Sequence, residues 1–88
     1  MALKTTQTAT NTNSAVEIAS SNLGRRSAVI KNPDASNSMY IGQASDVDET
    51  TGFPLAAGES VTVVGYTGDV FALAGAGTPT ACVLEVVE

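Results

Sequence analysis

Histidine and tryptophan are absent from this 88-residue chain, and cysteine occurs once. Without histidine, the side chain that most often serves as general base near neutral pH is missing. Neither a Ser–His nor a Cys–His nucleophile can be assembled. A single cysteine excludes an internal disulfide, and with no histidine beside it the ligands for an ordinary zinc site are lacking. No catalytic residue, no cofactor and no metal site is therefore expected, and the chain does not read as an enzyme.

Aromatic residues and bases are equally scarce. Tyr40, Phe53, Tyr66 and Phe71 are the only aromatics, a thin stock for stacking single-stranded nucleic acid. Four Lys and Arg stand against nine Asp and Glu, a net charge of −5, which argues against binding a phosphate backbone. No apolar run reaches the ~18 residues of a membrane-spanning helix. The opening Met1-Ala2-Leu3-Lys4-Thr5-Thr6-Gln7 lacks the apolar core of a signal peptide. Neither nucleic acid nor membrane is expected as a partner, and synthesis in a cytosol is expected. Cys82 then reads as a small apolar core residue.

In a chain this short, apolar burial and the entropy of ordering the backbone nearly cancel. A lone monomer would be marginal. With disulfide and zinc set aside, a partner subunit or larger assembly is the remaining source of stability.

Charge is unevenly placed. Residues 1–32 hold Lys4, Arg25, Arg26 and Lys31 against Glu17, a balance of +3. Residues 33–88 hold eight acids and no base, a balance of −8. The distribution suits either a soluble acidic body or a two-sided particle with a mildly basic N-terminal side.

Residues 1–14 are small and polar, with five threonines between Thr5 and Thr12. Such a segment cannot order itself by burial. Threonine nevertheless favours extended backbone, so the segment reads as an N-terminal arm suited to strand addition on a neighbouring subunit. It is expected to be mobile in the free protein.

From residue 15 to 88 the chain reads as one domain of short strands and turns. Strands are expected at 15–19, 25–31, 38–42, 60–64, 70–74 and 80–87. Asn32-Pro33-Asp34-Ala35-Ser36-Asn37 is a strong turn, and its length suggests a hairpin between the strands on either side. Pro54 argues against a central strand at 53–55. Five or six strands at this spacing indicate an all-β fold, a small β-sandwich or barrel of jelly-roll-like type. Phe71, Leu73, Leu84, Val86, Val29 and Ile30 are expected to supply much of the core, with Phe53 capping one end. In the last strand Cys82, Leu84 and Val86 share one face, and Ala81, Val83, Glu85 and Val87 share the other. That strand is apolar on both faces apart from Glu85, so it is central or is covered by a neighbouring chain.

Two short motifs reduce to loops. Asp46-Val47-Asp48-Glu49 looks like the start of a calcium loop, but the remaining ligand positions and flanking helices are missing. Gly75-Ala76-Gly77 leads into Thr78-Pro79 and no helix, so it cannot present a phosphate-binding helix N-terminus.

The stretch Thr51-Gly52-Phe53-Pro54-Leu55-Ala56-Ala57-Gly58-Glu59-Ser60-Val61-Thr62-Val63 carries a more specific signal. Arg26-Ser27-Ala28-Val29-Ile30-Lys31-Asn32-Pro33, Met39-Tyr40-Ile41-Gly42 and Val70-Phe71-Ala72-Leu73-Ala74-Gly75 accompany it. Together they resemble small virion proteins of tailed bacteriophages. The resemblance covers about residues 25–87 and is a pattern of turns and strands rather than a catalytic signature. It implies a structural protein of the virion, often trimeric. The short chain favours a capsid decoration, or cement, protein that binds the major capsid protein on the outer capsid surface and stabilises the shell. Contacts with the capsid or a neighbouring subunit are then expected from Leu3, Lys4, Thr5, Thr6 and Thr8 of the arm, and from Arg25 and Arg26. A tail, neck or fibre-base component is the alternative. A host-surface or carbohydrate-binding module using Tyr40, Tyr66 and the acidic loop is a further one.

Overall fold

A computed structural model describes residues 1–88. Eight strands form and no helix does: β1 (Ala2–Ala9), β2 (Val16–Ala19), β3 (Arg25–Lys31), β4 (Met39–Gly42), β5 (Phe53–Leu55), β6 (Ser60–Val64), β7 (Val70–Ala74) and β8 (Thr80–Val87). All pairings are antiparallel. One sheet, called sheet A below, has the order β1-β8-β3-β6, and its partner, sheet B, has the order β2-β7-β4-β5. The chain crosses between sheets at every connection except β4 to β5. This interleaved order of eight strands is that of a jelly roll, so the expected all-β sandwich is the fold found. The surface of 4750 Å² matches the roughly 4,800 Å² that size scaling gives for a compact chain of this mass.

Two sequence expectations about connectivity need correction, and the one that excluded a central strand at Pro54 holds. The Asn32–Asn37 turn does not close a hairpin, because β3 lies in sheet A and β4 in sheet B. Asn32 explains the crossing. It is fully buried, its Nδ2 donates to the carbonyls of Leu55 and Asn37, and its backbone N–H donates to Glu59 O. A side chain that satisfies backbone groups from other segments holds the corner of the sandwich, not a two-stranded turn. Residues 53–55 do form a strand. It is the edge of sheet B, where a proline is tolerated. Ala2–Ala9 of the Thr-rich segment lies along β8 of its own chain from Ala2↔Val87 to Ala9↔Thr80. The extended conformation that threonine favours is present, and its partner here is the chain's own sheet edge. Behind it, buried Thr10 donates from both N and Oγ1 to Pro79 O.

The core holds Ile18, Ile30, Met39, Leu55, Ile41, Val70 and Val83, with Ala19, Ala28, Ala72 and Ala81 between them. Of the residues expected there, only Ile30 is buried. Phe71 and Leu73 lie on the outward face of β7, whose buried residues are Val70, Ala72 and Ala74. Val29, Leu84 and Val86 likewise face outward, as does half-buried Cys82, and Phe53 is 57% exposed. Leu55 fills the end of the core instead. A strand apolar on both sides has no phase that periodicity alone can read, and a shift of one residue exchanges its faces.

The phase of sheet A is marked by a buried ion pair. Arg25 and Glu85 both point inward at one end of the sandwich and are nearly inaccessible. Arg25 donates from Nε to Glu85 Oε1 at 2.7 Å, with Nη2 also 2.7 Å from that oxygen in the ion pair, from Nη1 to Gly68 O at 2.8 Å and from Nη2 to Ser20 O at 2.6 Å. One guanidinium thereby ties β3, β8, the end of β2 and the loop before β7. Glycine is required where Val47 tucks against the β4–β5 hairpin, since a Cβ on Gly42 would stand 2.6 Å from Val47 Cγ2.

Candidate functional site

The strand register maps the outward face of sheet A row by row. Leu3, Val86, Ser27 and Val64 form the first row across β1, β8, β3 and β6. Thr5, Leu84, Val29 and Thr62 form the second, and Gln7, Cys82, Lys31 and Ser60 the third. Lys31 is the only charge among these twelve residues. Leu3 is 70% exposed, Val64 77% and Leu84 38%. A contiguous apolar patch of this kind, rimmed by threonine and serine, marks an interaction surface.

The outward face of sheet B is smaller. Glu17, Phe71, Leu73, Tyr40, Gly42 and Pro54 lie on it by register. It carries a carboxylate, and the loop 43–52 packs beside it through Gly52, whose Cβ position is 2.6 Å from Tyr40 Cβ.

The acids that make the body so negative mostly have structural partners. Asp34 accepts from the backbone N–H of Ser36 and Asn37, which holds its carboxyl below the usual carboxylate value. Asp48 accepts from the Thr50 hydroxyl and from the N–H groups of Thr50 and Thr51, and its pKa falls to about 2. Glu59 accepts from Ala56 N–H, and Asp69 from Ser21 N–H. These are side-chain-to-backbone bonds of the kind that make Asp a turn former. They give a local reason for Asp34 and Asp48, and a tertiary one for Asp69, that needs no cationic partner. Asp46-Val47-Asp48-Glu49 does not gather metal ligands: no group of three or more Cys, Asp or Glu side chains converges anywhere in the chain.

The seven residues expected to make contacts are scattered by the fold. Leu3 and Thr5 stand on the outward face of sheet A. Lys4, Thr6 and Thr8 alternate to the other side of β1, where they line a polar groove with Glu17, Ser20 and Glu85. Arg25 is buried at 3% exposure with its guanidinium fully engaged, so it offers nothing to another chain. Arg26 is exposed and pairs with Glu88. Val29, Leu84 and Val86, expected in the core, instead face outward, and Val64 joins them there. The two-sided apolar character of β8 was the available signal.

Comparison with known protein families, characterised proteins and solved structures finds no match for this chain.

Proposed function

We propose that this chain is a structural subunit that acts through surface contact, and specifically a capsid decoration protein of a tailed bacteriophage. The observation that carries the reading is the outward face of sheet A. It displays Leu3, Val29, Val64, Leu84 and Val86 to the outside, while the inward face of the same sheet is filled by Ala28 and Ala81 beside Ile30 and Val83. Such a distribution suits a subunit whose apolar burial is completed by a neighbour. The phage-like turn and strand pattern of residues 25–87 points the same way. Viral capsid proteins also use jelly rolls, an analogy of fold alone. In this reading the chain self-associates, binds the major capsid protein from outside and stiffens the shell.

Labelling purified particles with an antibody against the recombinant chain tests this. Label over the whole head is the expected result. Label confined to the neck or tail favours the tail-component reading, and unlabelled particles contradict a virion role. Tyr40 and Pro54 on the outward face of sheet B are the observation behind a glycan-binding alternative. Tyr66 does not join them, because its hydroxyl donates to Asp69 O.

A further inference from the structure

We propose that the outward face of sheet A binds a second copy of this chain about a twofold axis. The axis runs along the strands, between β8 and β3. The proposal rests on the surface-contact reading above, and it differs from the threefold assembly that the phage resemblance implies.

Charge selects the occupant. The chain carries nine acids, and none lies in the three rows of this face. Two copies repel through most approaches, and the one carboxylate at the end of this face, Glu88, is already paired with Arg26. Its composition also suits self-association, since interfaces between identical subunits are more apolar and less charged than those with transient partners.

The rows are self-complementary. A twofold contact uses the same patch on both copies, so residue i meets j while j meets i. With the axis along the strands, each row meets itself in reverse order. Leu84 then faces Val29 of the second copy, and Thr5 faces Thr62. Leu3 faces Val64, and Val86 faces Ser27. In the third row Cys82 faces Lys31, which keeps the two lysines apart. Every large apolar side chain of the first two rows meets an apolar or small residue. An axis laid across the strands instead would put the apolar first row against Gln7, Lys31 and Ser60. Two sheets packed in this way keep their strands within about 30° of each other at about 10 Å separation.

Area sets the strength. The three rows span four strands at ~4.8 Å spacing and about six residues at ~3.3 Å, which is about 380 Å² per copy. That is below the ~800 Å² per partner of a standard interface, so the dimer is weak and concentration-dependent.

Sedimentation velocity on the isolated protein, without particles, tests the proposal. Leu84→Glu places a carboxylate on the axis while pointing away from the chain's own core, so the subunit should keep its circular dichroism spectrum and melting behaviour as a monomer. The wild type is expected to dimerise as its concentration rises, and Leu84→Glu to weaken the dimer by about 30-fold or more, the effect of losing a central hot spot. Val64→Glu, which also leaves the core untouched, gives the same result. Tyr40→Ser, on the opposite face, leaves the dimer intact. A wild type that stays monomeric at all concentrations overturns the proposal. So does an oligomer that survives both Glu substitutions, or a trimer dispersed by them. Loss of particle labelling with the dimer intact contradicts the decoration reading alone.

Discussion

The two faces of sheet A are built from alternate residues of the same strands, yet they differ in kind. The inward face presents Ala28, Ile30, Ala81 and Val83, and at its end the Arg25–Glu85 pair. The outward face presents Val29, Leu84 and Val86 and no acid. The larger share of apolar bulk in β8 is on the outside, and the buried charges are on the inside. Hydrophobic size therefore did not choose the faces. A buried ion pair tolerates only one phase, because turning either partner outward would leave the other uncompensated in the interior. The two apolar faces would otherwise be nearly interchangeable.

Breaking the inward pair should give the largest effect. Arg25→Met leaves Glu85 buried without a partner and should cost about 3–5 kcal/mol, enough to unfold a marginal subunit, as read by chemical denaturation. Replacing both partners, Arg25→Met with Glu85→Leu, should recover most of that loss, because a well-packed apolar pair is often as stable as a buried ionic one. A double variant no better than the single one would remove the pair from its role in setting the phase.

Truncations sharpen the contrast between faces. Ile30→Ala, on the inward side of β3, should cost about 2–5 kcal/mol of monomer stability. Its neighbour Val29→Ala points outward and should cost the monomer less than about 1 kcal/mol, a surface-type effect. Equal losses at the two positions would mean that the outward residue is packed within the subunit. A smaller effect still is expected at Arg26, whose exposed pair with Glu88 should contribute about 0–1 kcal/mol and fade with salt.

The acid-lined loops give a pH signature separate from both faces. Asp48 has its pKa lowered from 3.8 to about 2, chiefly by the Thr50 hydroxyl. A depressed carboxylate supports the loop fully above its unfolded value, near 4, and loses that support as pH falls through about 2. Amide resonances of Thr50 and Thr51 should titrate with a midpoint near that lower value and be flat through neutrality. Asp48→Asn should abolish the transition.

Much of the strand layout was legible. The bounds of β3, β6, β7 and β8 follow from apolar runs closed by Gly, Pro and Asp turns. Their partners were less so. Asn32-Pro33-Asp34 announces a turn, but only the buried side-chain amide of Asn32, reaching Leu55 O, makes that turn a crossing between sheets. The arm was legible as extended chain, whereas its docking on β8 depends on an edge that forms from residues 71 to 85 positions away, from Ala9↔Thr80 to Ala2↔Val87. The faces were the real loss. β7 and β8 are apolar on both sides, and choosing the side with the bulkier residues put the phase one residue out. Glu85 held the clue. A single carboxylate in an apolar strand either faces water or has a cation inside, and Arg25 sits 60 positions earlier, beyond what local pattern can connect. The same ambiguity hides the centre of the candidate surface, since Val29, Leu84 and Val86 read as core, whereas Leu3 and Thr5 at its edge were legible as contact residues.

Cys82 reports on the surface most directly, because it stands on the outward face of sheet A in the row beside Leu84 and needs no substitution to serve as a probe. Its rate of alkylation by a small thiol reagent should fall as protein concentration rises, and should stop depending on concentration in Leu84→Glu. A rate that is the same at every concentration in the wild type would contradict the central claim that this face is covered by a second copy.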